Sequence, residues 1–243
     1  MLLAALQTSA RDAPWFTFTR TAIGDRPGGV SELSPTPPNR RSEAARAGPL
    51  TDTLDVSQMA TGGMLFGREA GHRVYKAVYE RLRRLPAEGL LVVDLTGLRQ
   101  ASHQALKEVL HVLHVLRSAK FQERFLVFRV DARHRELAES IETVARLGRD
   151  VIPAVGRNGA RLNFGKLTGA ERDTLKAVER FGELTSRELR ERLGLLPSAA
   201  SNRLRRLHHL RLIRRDERAV TVSGGREFVY RPVVAPAGRR RKG

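Results

Sequence analysis

Residues 184–215 read LTSRELRERLGLLPSAASNRLRRLHHLRLIRR, and the order of caps, stops and apolar positions in them decides how the last third of the chain folds. Thr185 followed three residues later by Glu188 is a capping box, in which each side chain satisfies a free backbone N–H of a helix start. That helix runs through Leu189 to Leu193 and stops at Gly194, the residue type that takes a left-handed cap with least strain. Leu195, Leu196 and Pro197 make the turn, because proline fits a first helical turn, where no backbone donor is needed. A second helix over residues 198–209 places Ala200, Leu204 and Leu207 at helical spacing for burial. Ser198, Ala199, Ser201, Asn202, Arg203, Arg205 and Arg206 are left on its other faces. Residues 210–215 lead into a hairpin with its tip near Ser223, Gly224, Gly225 and Arg226, returning through Phe228, Val229 and Tyr230. Upstream, Thr168 and Glu171 form a second capping box on a helix over residues 167–178.

In this order and spacing the run resembles the winged helix-turn-helix of MarR- and ArsR-type transcription regulators. The resemblance implies an α+β domain over residues 166–234 that binds double-stranded DNA, usually as a homodimer. It sets Ser198, Ala199, Ser201, Asn202, Arg203, Arg205 and Arg206 on the DNA side. Arg215, Arg218, Gly224, Gly225 and Arg226 belong to the wing. Asparagine pairs bidentately with adenine and arginine with guanine, so Asn202, Arg203 and Arg206 are the expected readers of sequence. Arg226 and the basic tail, residues 235–243, are expected on phosphates, and His208 and His209 on phosphate or solvent.

Charge is unevenly distributed. Residues 1–58 are neutral, residues 59–160 carry +6 and residues 161–243 carry +12 of the total +18. From Ser201 to Gly243 there are 13 basic residues against 3 acidic ones, a footprint expected of polyanion binding. With no cysteine, a disulfide framework, a zinc–thiolate site and a cysteine nucleophile are excluded. No apolar run approaches the roughly 18 residues of a membrane helix, and the amino terminus lacks the charge and length of a signal peptide. A cytoplasmic protein without membrane attachment is expected.

Residues 1–49 concentrate Pro, Gly, Ser, Arg and Ala without hydrophobic period, as a weakly ordered region would; Trp15–Thr19 reads either as a short strand or as upstream sequence read through from an early start codon. Over residues 50–156 strands and helices alternate, the mark of an α/β layer fold. Strands are expected at residues 54–59, 90–95, 125–130 and 151–155, the last closing the domain. Helices are expected at residues 66–85, 102–118 and 136–147, with a linker over residues 156–166.

Phe66-Gly67-Arg68-Glu69-Ala70-Gly71 and LLVVDLTGLRQASHQALKEVL (residues 90–110) resemble the STAS superfamily, close to its poorly characterised bacterial branch. The shared pattern is a strand ending in Asp94, then Gly97, then Glu108. Anti-sigma antagonists of that superfamily carry a phosphorylatable Ser or Thr where this chain has His103 or Gln104, with Ser102 just before. Ser102, better placed as a helix N-cap, and Asp94 are therefore the candidate regulatory positions. His103, His111 and His114 lack cysteine or carboxylate partners beyond Glu108, and read as surface histidines. No nucleotide-phosphate loop or nucleophile elbow is present, so no cofactor and no catalysis are expected. The combined expectation is a transcription regulator with a STAS-like module that senses a small molecule or docks a protein. The alternative is a regulator acting by protein contact on a kinase or a sigma-factor regulator.

Overall fold

The computed structural model describes residues 50–219 except 122, and residues 226–234; all of these fall in one unit, Ala44–Gly243. The readings of residues 1–49, the wing tip and the basic tail lie outside the described residues.

The first half is an α/β layer. Strands β1 (Thr51–Asp55), β3 (Leu90–Asp94), β5 (Phe125–Val130), β6 (Val151–Gly156) and β7 (Arg161–Gly165) form one sheet in the order β1-β3-β5-β6-β7. The first four are parallel and β7 is antiparallel to β6. A two-residue parallel ribbon, β2 (Met64–Leu65) with β4 (Gln100–Ala101), flanks it. Helices α1 (Gly67–Arg84), α2 (His103–Leu110), α3 (Val112–Leu116) and α4 (Arg135–Gly148) occupy the crossovers. Right-handed crossovers that always step in one direction lay their helices on one face. Alternation along the strands agrees: Leu91, Val93, Leu126 and Phe128 join one core with Val74, Val78, Leu106, Val109, Leu137 and Ile141. Leu90, Val92, Phe125, Val127 and Val155 face the other way, where Val233 and Val234 pack against them. Gly71 lets α1 and α2 close up, since a Cβ there would meet Ala105 O at 2.4 Å.

Three sequence expectations are corrected here. The opening strand is Thr51–Asp55, because the Asp55 carboxylate accepts the Ser57 N–H at 2.9 Å and turns residues 56–59 into a short 3-10 segment. The helix expected over residues 102–118 is interrupted at His111, where the His114 N–H bonds one residue short, to the His111 carbonyl. The segment read as a linker holds β7. Asn158 and Gly159 (φ 77°) reverse the chain, and Leu162 and Phe164 pack on the core while pairing with β6.

The second half holds α5 (Gly169–Phe181), β8 (Leu184–Thr185), α6 (Ser186–Leu193), α7 (Pro197–His209) and the hairpin β9 (Ile213–Ala219)–β10 (Arg226–Pro232). The sheet order is β8-β10-β9, with every pair antiparallel. Leu175, Val178, Leu184, Leu189, Ala200, Leu204, Leu207, Ile213 and Tyr230 form its core.

Candidate nucleic-acid interface

Local chemistry holds α7 in place from both ends. Thr185 Oγ1 accepts the Glu188 N–H at 3.2 Å while the Glu188 carboxylate accepts the Thr185 N–H at 2.7 Å, which fixes the start of α6. Gly194, at φ 61°, closes α6 with a left-handed cap, and Pro197 opens α7. Ala200, Leu204 and Leu207 are fully buried on one stripe of α7, as their spacing predicts. On the opposite side Ser198, Asn202, Arg205 and Arg206 are exposed, while Ala199, Ser201 and Arg203 are half-buried at its margins. The arrangement is a rigid helix presenting one amide and several guanidiniums to solvent, groups that fit base edges and phosphates.

The expected arginines are not equivalent. Among the described residues Arg203 and Arg205 make no ion pair, whereas Arg206 Nε lies 3.3 Å from Glu171 Oε1, a residue of the α5 capping box. In the wing, Arg215 lies over the Phe228 ring at 4.5 Å and Arg218 is 3.7 Å from Glu183. Arg231 bridges Glu183 and Asp216 across the hairpin. The backbone of Arg226 starts β10; its side chain, Gly224 and Gly225 lie outside the described residues.

Two members of the basic run lie off this exposed face. Arg211 and Arg214 are buried, and their side chains turn to the α/β half. Burial pulls both guanidinium pKa values down from their ordinary range. His208 is likewise half-buried and pushed down to about 4, by burial first and then by Arg211, Arg215 and His209. It stays neutral at neutral pH, whereas His209 is exposed.

In the α/β half, Asp94 accepts the Thr96 N–H at 2.9 Å, the Thr96 hydroxyl at 2.7 Å and Arg129 at 3.1 Å. These bonds outweigh burial and hold its carboxyl below the usual range, as a loop-closing aspartate. Ser102 Oγ accepts two backbone N–H groups, from Ala105 at the start of α2 and from Gly67 at the start of α1, each at 3.2 Å. Glu108 pairs with Arg68 at 2.8 Å, His111 and His114 stand ring to ring at 5.7 Å, and His114 lies 3.4 Å from Asp150. Among the described residues no group of three or more His, Asp or Glu is placed to hold a metal, and no helix is long and apolar enough to cross a membrane.

Three helices, a short strand and a two-stranded wing, with the second helix of the turn presented outward, define a winged helix-turn-helix domain. Residues 166–220 match the MarR family, and the match begins just before α5 and ends within the wing. No curated protein matches the chain. Residues 166–220 are thus similar to MarR-type DNA-binding regulators.

Proposed function

We propose that the chain is a sequence-specific transcription regulator that grips double-stranded DNA with α7 in the major groove and the β9–β10 wing beside it. The single observation that carries this reading is the two-sidedness of α7: a fully buried Ala200/Leu204/Leu207 stripe backed by an exposed Ser198/Asn202/Arg205/Arg206 face. The MarR-family match over residues 166–220 supports it. In this reading Asn202, Arg203 and Arg206 read bases, while Arg215, Arg218, Gly224, Gly225, Arg226 and the tail hold backbone. A homodimer presents two such helices to successive grooves.

The α/β half serves, in the same reading, as a STAS-like docking or sensing module for a protein or small-molecule effector in the cytoplasm. The strand ending at Asp94 with the helix opening at Ser102 supports that likeness. Ser102 acts there as a cap on two helices, and Asp94 as a loop closure. Mobility shift of the full chain on random genomic fragments tests the DNA reading. Salt-sensitive retardation with a preferred subset of fragments is the expected result. A folded chain that retards no duplex overturns it and leaves the protein-contact regulator standing.

A further inference from the structure

The last turn of α7 ends in a Schellman cap: the Arg211 N–H bonds the His208 carbonyl at 2.9 Å and the Leu212 N–H bonds the Leu207 carbonyl at 3.0 Å. The left-handed position of such a cap is usually glycine, because a Cβ is strained there. Here it is Arg211, at φ 60° and only 5% exposed, and its Nη2 reaches the carbonyl of Leu116 at the end of α3. Three residues on, at the base of the wing, Arg214 Nη1 lies 2.6 Å from the Glu88 carbonyl and 3.1 Å from its carboxylate. The Arg214 guanidinium also lies 4.5 Å over the Phe125 ring. Glu88 is itself at φ 63°, in the turn before β3, again a conformation that favours glycine. Two of the three non-glycine residues with positive φ among the described residues thus face each other's domains. At both, the side chain that introduces the strain supplies a contact across the seam. Such strain persists only where the surrounding structure over-determines it, and it collects at functional joints.

We propose that Arg211 and Arg214 are positioning residues for DNA binding, clamping the end of α7 and the base of the wing to Leu116 and Glu88 of the α/β domain. The recognition helix is then aimed by the α/β domain as well as by its own small core. An effector that shifts α3 or the turn at Glu88 changes DNA affinity through these contacts. The functional half of this inference rests on the DNA-binding reading above.

The test uses the full chain carrying Glu88→Gly or Arg211→Gly. Glycine suits both left-handed positions, and Glu88→Gly removes the carboxylate half of the Arg214 clamp without adding backbone strain. Hydrogen–deuterium exchange of the free chain is expected to accelerate over residues 210–216 in Glu88→Gly, although residue 88 lies 126 positions from Arg214. Protection in α6 should not change. DNA affinity should fall about tenfold, within the range of ordinary coupling between sites, with the salt dependence of binding unchanged because no phosphate contact is lost. Unchanged exchange over residues 210–216 overturns the clamp whatever the DNA result. A salt slope reduced by about one in Arg211→Gly overturns it too, since that arginine would then contact phosphate directly. A wild-type chain that binds no duplex instead sinks the DNA reading itself.

Discussion

Glu171 joins the capping of α5 to the DNA face of α7, and Glu171→Gln separates the two roles. Its Oε2 accepts the Thr168 N–H at 2.8 Å and the Thr168 hydroxyl at 3.0 Å, and its Oε1 faces Arg206 Nε at 3.3 Å. Glutamine keeps an acceptor for the box, so the fold should hold. The variant loses a negative charge at the α5 amino terminus, worth about 0.3–1 kcal/mol, and an ion pair of about 0.2–1 kcal/mol. The lower part of that second range applies, because the Arg206 side chain is 58% exposed. Urea unfolding should therefore show a loss of roughly 1 kcal/mol. DNA binding should move the other way. Arg206 no longer leaves a carboxylate to meet DNA, which tightens binding by about 1.5- to 2-fold. Fluorescence anisotropy against a bound fragment, at two salt concentrations, measures it. Weaker or unchanged affinity in a folded variant would refute the placement of Arg206 on the DNA side.

Arg203→Ala should change the preferred base at one position of a selected site by roughly 1–3 kcal/mol; uniform weakening across sequences would remove it from the readers. The folded pKa of His208, about 4, lies below the ordinary 6.5, so unfolding takes up a proton between these values. Stability of the winged helix should therefore be full above pH 6.5 and decline as pH falls toward 4, and His208→Gln should flatten that part of a melting-temperature profile. Ser102→Ala removes the acceptor shared by α1 and α2, and should cost about 0.5–2 kcal/mol in denaturant titrations. Phosphopeptide mass spectrometry should find Ser102 unmodified. Stoichiometric phosphate there, with regulation lost in Ser102→Ala, would instead establish an antagonist-type switch.

The winged helix was legible because its signals are local. The Thr168/Glu171 and Thr185/Glu188 boxes, Gly194 and Pro197 each fix backbone within a few residues, and the Ala200/Leu204/Leu207 stripe needs only the helical period. Strand β7 had a readable signal too: Asn158-Gly159 between two apolar stretches is a hairpin dipeptide, and Leu162 and Phe164 alternate. The weight of glycine and asparagine in linkers hid it. The fates of Arg211 and Arg214 are of another kind. In sequence they match the exposed arginines around them, and only the packing of the α7–β9 junction against Leu116, Glu88 and Phe125 decides which guanidiniums are buried. For the same reason His208 could not be told from His209, since its neutrality comes from burial and from Arg211. Ser102 was placed as a cap from its position before an apolar helix, but its second bond, to Gly67, depends on how α1 lies against α2.

The most direct test of the central claim is the salt dependence of duplex binding by the full chain, measured beside Asn202→Ala/Arg205→Ala. The account predicts that the wild-type chain binds genomic duplex with a steep negative slope of log affinity on log salt. The double variant should bind more weakly, lose preference at the base that Asn202 reads and shed about one unit of slope, for the one guanidinium withdrawn. A folded wild-type chain that binds no duplex at about 50 mM salt, or a double variant that binds as the wild type does, would contradict it.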